Sequence, residues 1–512
     1  MKQKELKLEP EDNVDENEQS LNGIVETLRQ YPFIEKMSIC QNCATQLMNV
    51  IELSLFDVPN VVYPWELEVF AEFALFADGD TVTKSFNDNN GAEFIDIINF
   101  IRNYEHPFLK TQKDMNFVNS FIMATSLQQF RFQENIVHRL YRYNYFWNFS
   151  NNTVNMQNVF SQKFGGINYS EFKELAELIF FFASVKTNTT AIVREILIKY
   201  RHIVEWLKIT REEYKRRQSD KNDDNFENAV YCFNYLHPFP FIEYCDSILL
   251  PLPYLIIDAV TDSLLTRATY DDNHLRENIG REVAQSYVES IFKEGNVYEE
   301  VLPEMEYRIG KRKIDSPDIM IKNGNDFCFI DTKISTPKLE IRKFNQTEMD
   351  KTIVKYAKNV IQMYNRIKDF LNGSYYPFAT KTVVNSENIF GIVAVLEDAY
   401  ISRRQIYSES MKQLGIAPES EEAKFIQAHI KFTNFKDLES FAFYLEDIFV
   451  ALKAKAANSK DWNDMCLYNS QYYSTDGSNK ITSLEEFISS HQKFIMDYTD
   501  ELVSKGIILK NS

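Results

Sequence analysis

The sequence predicts an α+β / α/β fold in three parts: a large, mostly helical N-terminal domain, a core with a mixed central sheet flanked by helices, and a helical C-terminal extension. Three observations carry this. Apolar residues recur at three- and four-residue steps from Leu21 to about Ile209. Two β-prone runs, 319–321 and 327–330, flank an Asn323-Gly324 pair, the strongest short hairpin signal. The run IFGIVAVL at 389–396 is uniformly apolar and follows a long helical stretch. That suits a buried strand lying parallel to the second hairpin strand after a helical crossover.

Taken in order, residues 1–20 carry seven acids against three lysines and almost no large apolar residue, so they are expected to be a disordered acidic tail. From 21 to 250, stretches such as PWELEVFAEFALFA, ENIVHRLYRYNYFWNF and FKELAELIFFFASV give amphipathic or buried helices, expected to form a sensing, recruiting or oligomerising domain. In 138–147, bases interleave with aromatics. Stacked nucleotide bases would suit that pattern, but filling a helical core suits it better. Cys40 and Cys43 form one CxxC with no second pair to complete a zinc site, and read as core cysteines on one helix. Lys215-Arg216-Arg217 ends a helix before a polar loop, and the boundary of the helical domain falls in 219–260, taken at 250/251.

The core, 251–400, opens with a helix at 275–294 whose buried face is Ile279, Val283, Tyr287 and Ile291, with Gly295 as its C-terminal cap. Segments 297–301 and 304–309 read as a first strand or strand pair, followed by a basic turn with Lys311 and Arg312. In the hairpin, side chains alternate, so Asp331 and Lys333 share one face while Cys328, Ile330, Thr332 and Ile334 take the other. Asp318, after Pro317, begins the partner strand, and the hairpin returns it toward Asp331. Two carboxylates and an ammonium therefore converge. That donor set suits Mg²⁺ (or Mn²⁺), with the rest of its shell left to water and phosphate, and a reaction that builds negative charge on phosphorus. The helix 346–371 carries Lys351, Lys355 and Lys358 on one face, placed to follow a phosphate backbone. From 401 to 512 the patterns are helical, including a capping box at Ser483. This extension either wraps the core or forms its own lobe.

The pattern Pro317-Asp318, then Asp331-Thr332-Lys333, resembles the signature of the PD-(D/E)xK, restriction-endonuclease-like nuclease superfamily, and within it the bacterial restriction and phage-defence nucleases. The resemblance covers a quarter to a half of the chain. It implies a metal-dependent nuclease that hydrolyses phosphodiester bonds, in DNA rather than RNA, as an anti-phage or restriction effector. Asp318 and Asp331 would be metal ligands and Lys333 catalytic, with a third acid on the first core helix. Glu282 is the first choice for that acid, and Glu277, Gln285 and Glu289 stay open. Lys311, Arg312, Lys351, Lys355 and Lys358 would contact nucleic acid.

Composition bounds this reading. A net charge of −18 opposes nonspecific DNA binding, but 338–369 holds eight Lys or Arg against four acids, next to the proposed site. No P-loop, helicase motif or catalytic triad is present. The apolar runs are too short or too interrupted to span a membrane, and no N-terminal signal is recognisable, so a cytoplasmic location is expected. The alternative is a catalytically inactive nuclease-fold scaffold, or a nucleic-acid-binding subunit of a larger complex.

Overall fold

A computed structural model describes residues 20–48, 62–77, 83–86, 88, 91–184, 189–219, 226–457 and 481–508. The acidic stretch 1–19 lies outside the described residues. The fold is α+β. Helices including Pro64–Phe76, Ile136–Asn148 and Tyr169–Ser184 fill the N-terminal part. The basic-aromatic stretch 138–147 falls on Ile136–Asn148 and is core: Tyr143, Phe146 and Trp147 are fully buried. Its two arginines are buried as well and paired. Arg139 meets Asp258 at 2.5 Å and also pairs with Asp262. Arg142 meets Glu439 at 3.0 Å and Glu134 at 2.5 Å.

A small sheet interrupts the expected helical run. Strand β1 (Lys208–Thr210) pairs parallel to β2 (Phe241–Tyr244), which pairs antiparallel to β3 (Ser247–Leu249). The remaining strands are β4 (Glu300–Pro303), β5 (Glu306–Ile309), β6 (Arg312–Asp315), β7 (Ile319–Asn323), β8 (Asp326–Lys333), β9 (Ile389–Val395) and β10 (Ile430–Asn434). The central sheet runs β10-β9-β8-β7-β4. It is mixed, since β8, β9 and β10 are mutually parallel and β7 and β4 reverse direction.

Several expectations are corrected by the strands. Only 300–303 joins the central sheet, whereas β5 and β6 form a separate ribbon with Lys311 and Arg312 exposed at its tip. The hairpin turn is centred on Gly324-Asn325, one residue beyond the Asn-Gly pair, because Asn323 still pairs with Asp326. A left-handed φ of +59° at Gly324 alone fits a turn with glycine at its first central position. Lastly, β10 was read as helix. It is a fully buried edge strand that begins where the helix Glu421–His429 ends.

The first core helix is continuous over 273–294 but contains a π-helical turn at Ile279–Ala284. Its expected buried face, Ile279, Val283, Tyr287 and Ile291, is fully buried. Gly295 is not the left-handed cap, since Asn296 takes the positive φ. Close packing explains the glycine: a Cβ there would come within 2.7 Å of Leu445 Cδ2. The helix Thr482–Ser504 starts before Ser483, so that residue is no capping box. Its N–H and hydroxyl donate instead to Glu294.

One hydrophobic cluster links Phe146 and Phe172 with Tyr287, Ile330, Phe441 and Leu502, crossing the expected 250/251 boundary and taking in the C-terminal helices. The C-terminal helices therefore pack into the same hydrophobic cluster as the sheet. A second cluster packs the other face of the sheet, Met320, Phe327 and Phe329, on the helix Gln346–Leu371. No helix among the described residues is long and apolar enough to cross a membrane.

Candidate functional site

The register of β7 on β8 pairs Ile319 with Ile330, which sets Asp318 opposite Asp331. Cys328 and Ile330 pack in the first cluster while Phe327 and Phe329 pack in the second, so alternation turns Asp331 and Lys333 toward the 346–371 side. Both acids are buried, Asp331 to 1% and Asp318 to 8% exposure.

The three residues are brought together unevenly. Asp318 Oδ2 accepts from Thr332 N at 2.7 Å and from Thr332 Oγ1 at 2.9 Å. Asp331 Oδ1 lies 3.4 Å from the N–H of Asp318. Asp331 Oδ2 has no hydrogen-bond partner among the described residues, and Lys333 Nζ stands 3.6 Å away, within ion-pair reach but too far for a hydrogen bond. Burial, and then the carboxylate of Asp331, push the Asp318 carboxyl up to about 7, against the lowering effects of Lys333 and Thr332. Burial opposes charge on Lys333, yet Asp331 and Asp318 hold its ammonium above the usual lysine value.

Glu282 is directed elsewhere: its Oε2 accepts from Asn151 Nδ2 at 2.8 Å. The reason is geometric. The 273–294 helix packs on the Ile330 face of β8, opposite the face that bears Asp331 and Lys333. The acid beside the site is Glu304, in the turn between β4 and β5. The Ser316 N–H donates to Met305 O at 2.8 Å, and Met305 N–H donates to Ser316 Oγ at 2.9 Å, which ties this turn to the segment entering Asp318. Burial, then Asp315 and further Asp331, raise the Glu304 carboxyl, while Arg281 and Lys333 lower it. From the helix, then, Arg281 rather than Glu282 reaches this electrostatic neighbourhood. Sequence reasoning passed over Glu304 because nothing local marks it; the signal is tertiary.

Among the basic residues, Lys355 Nζ is 3.2 Å from Ser335 Oγ, two residues beyond Lys333. Arg276 donates to Thr336 Oγ1 at 3.0 Å. Partial burial, with Arg276 and Lys338 nearby, lowers the Lys355 value, so three cations gather around the end of β8. Lys351 pairs with Glu348 and Lys358 is exposed further along the same helix. Lys311 and Arg312 sit apart, on the ribbon.

Among the described residues, no three His, Cys, Asp or Glu side chains converge to enclose a metal ion. Two carboxylates do converge, with one buried oxygen that accepts no hydrogen bond from a described residue and one carboxyl raised by burial and its neighbour's charge. That set fits a divalent cation which takes one or two protein carboxylates and leaves its other positions to water and phosphate. Comparison of the chain with protein-family models, with curated proteins and with solved structures finds no match in any of the three.

Proposed function

We propose that the chain is a metal-dependent nuclease of the PD-(D/E)xK type, hydrolysing phosphodiester bonds, with DNA favoured over RNA as substrate. The observation that carries this reading is the buried Asp331, whose Oδ1 faces Asp318 while its Oδ2 accepts no hydrogen bond from a described residue and has the Lys333 ammonium alongside. Asp318 and Asp331 would hold Mg²⁺ or Mn²⁺, which when bound supplies positive charge to phosphate oxygens and lowers the pKa of water. Lys333 stays protonated beside the acids and offsets the negative charge that gathers on phosphorus during in-line displacement. Arg276, Lys338 and Lys355 supply cations for the flanking phosphates, without reading sequence. Glu304, which feels the charge of Asp331, would take the part of the third acid in place of Glu282. The bacterial defence role and a protein partner or homo-oligomer through the helical region rest on the sequence resemblance alone.

The test is cleavage of supercoiled plasmid, linear DNA and single-stranded RNA with Mg²⁺ or Mn²⁺. Asp331→Asn and Lys333→Met are each expected to slow cutting by about 100-fold or more. Calorimetric Mn²⁺ titration is expected to show binding that needs both Asp318 and Asp331. Neither cutting nor such binding would leave a scaffold that has the acids without the chemistry.

A further inference from the structure

A cavity of about 940 Å³ lies outside this site, where the segments following β8, β9 and β10 meet the N-terminal helices and the loop 233–239. In open sheets with parallel strands, the crevice beyond the carboxyl ends of those strands is where ligands bind. The walls combine aromatic rings with arginines. The Phe239 ring meets two guanidiniums, those of Arg217 at 5.1 Å and Arg267 at 5.0 Å from its centroid. Across the cavity, Phe130 and Tyr400 meet edge to face at 5.1 Å.

The charge inventory separates structural ions from available ones. Asp258 is satisfied by Arg131 and Arg139, Asp262 by Arg139, Glu134 by Arg142, and Asp398 by Arg403. Arg217 is paired with Glu213. Two cavity arginines have no carboxylate within ion-pair distance among the described residues, although Glu397 lies in the electrostatic neighbourhood of Arg342. Arg267 donates only to the Trp206 carbonyl, at 2.9 Å, and the Arg342 guanidinium makes no hydrogen bond or ion pair to a described residue. Each also sits beside another arginine. Burial and then Arg217 bring Arg267 down to about 10, and burial with Arg131 lowers Arg342. Of the remaining acids, Asp271 and Glu340 are exposed, and Glu397 is raised by burial against the lowering influence of the nearby Arg342 and Arg139.

We propose that this cavity binds a nucleotide: a phosphorylated small molecule whose anionic groups meet Arg267 and Arg342 and whose flat ring packs among the aromatic walls. Arginine pairs match phosphate oxygens in a bidentate way, and a partly buried guanidinium with no carboxylate in ion-pair contact gains most from an incoming anion. The volume accommodates a base, a sugar and phosphates together, within the range of small-molecule sites. The proposal does not depend on the nuclease reading.

The test is calorimetry of the full chain in chelator with the ribonucleoside mono- and triphosphates, against nucleosides and inorganic pyrophosphate. At least one nucleotide is expected to bind with 1:1 stoichiometry, about tenfold or more weaker in Arg267→Gln and in Arg342→Gln, and unchanged in Asp331→Asn. Arg342→Gln keeps the test decisive if Arg267→Gln fails to fold, because that guanidinium makes no hydrogen bond to a described residue and its loss leaves only Glu397, whose carboxyl burial already raises. The proposal is overturned if no nucleotide saturates by about 1 mM. It is equally overturned if affinity ignores both arginines, if Asp331→Asn abolishes binding, or if a nucleoside or pyrophosphate binds as tightly as the nucleotide.

Discussion

Asp318 is placed at the expense of stability. Its carboxyl, ordinarily near 3.8, is raised to about 7 in the folded chain, so through that window the folded state keeps a proton the unfolded chain has released. Stability should therefore fall as pH rises from about 4 to about 7. Asp318→Asn keeps an oxygen for Thr332 and carries no charge. In chelator it should melt above the wild type at pH 8, with the difference closing toward pH 4. A gap of equal size at both pH values would contradict the account. At this scale the sequence was informative about Asp318, Asp331 and Lys333, because strand alternation and hairpin return are local rules. It was uninformative about Glu304, whose approach depends on hydrogen bonds between Met305 and Ser316. Glu282 failed to join them because helical periodicity gives the buried face of a helix but not which face of the sheet receives it.

Among elements, the fit of β9 against the helix Gln346–Leu371 is the tightest constraint. A Cβ at Gly391 would stand 2.5 Å from Met363 Cγ and 3.0 Å from Ile367 Cδ1. Gly391→Ala is expected to destabilise the chain by about 1–3 kcal/mol through overpacking. Urea unfolding should show this as a lower midpoint at an unchanged slope. An unchanged midpoint would mean that Met363 simply turns aside. The strands β7, β8 and β9 were legible because turn chemistry or unbroken apolarity marks them. The strand β10 was not: IKFTN continues a helical pattern without a glycine or proline, and only its pairing with β9 makes it extended. The short strands near 208–249 were hidden for the same reason, since three- and four-residue strands carry too little periodicity to read.

For the molecule as a whole, buried charge joins distant parts of the chain. Arg142, on an N-terminal helix, holds Glu439, on the helix Phe435–Tyr444. Burial above all pushes the Glu439 carboxyl up to about 7, against the opposing pull of Arg142. Arg142→Met would leave Glu439 and Glu134 buried without this cation. A loss of about 3–5 kcal/mol is expected, measured by chemical denaturation. A loss below about 1 kcal/mol would show that water reaches the pair. The three-part organisation suggested by sequence is thus a pattern of composition, while cohesion runs across it, through Phe146, Tyr287, Phe441 and Leu502 alike. Such a chain offers evolution no clean seam. Recombination at the 250/251 junction would split one core between two parents, so new functions would have to be gained by surface loops and point changes, with the scaffold inherited whole.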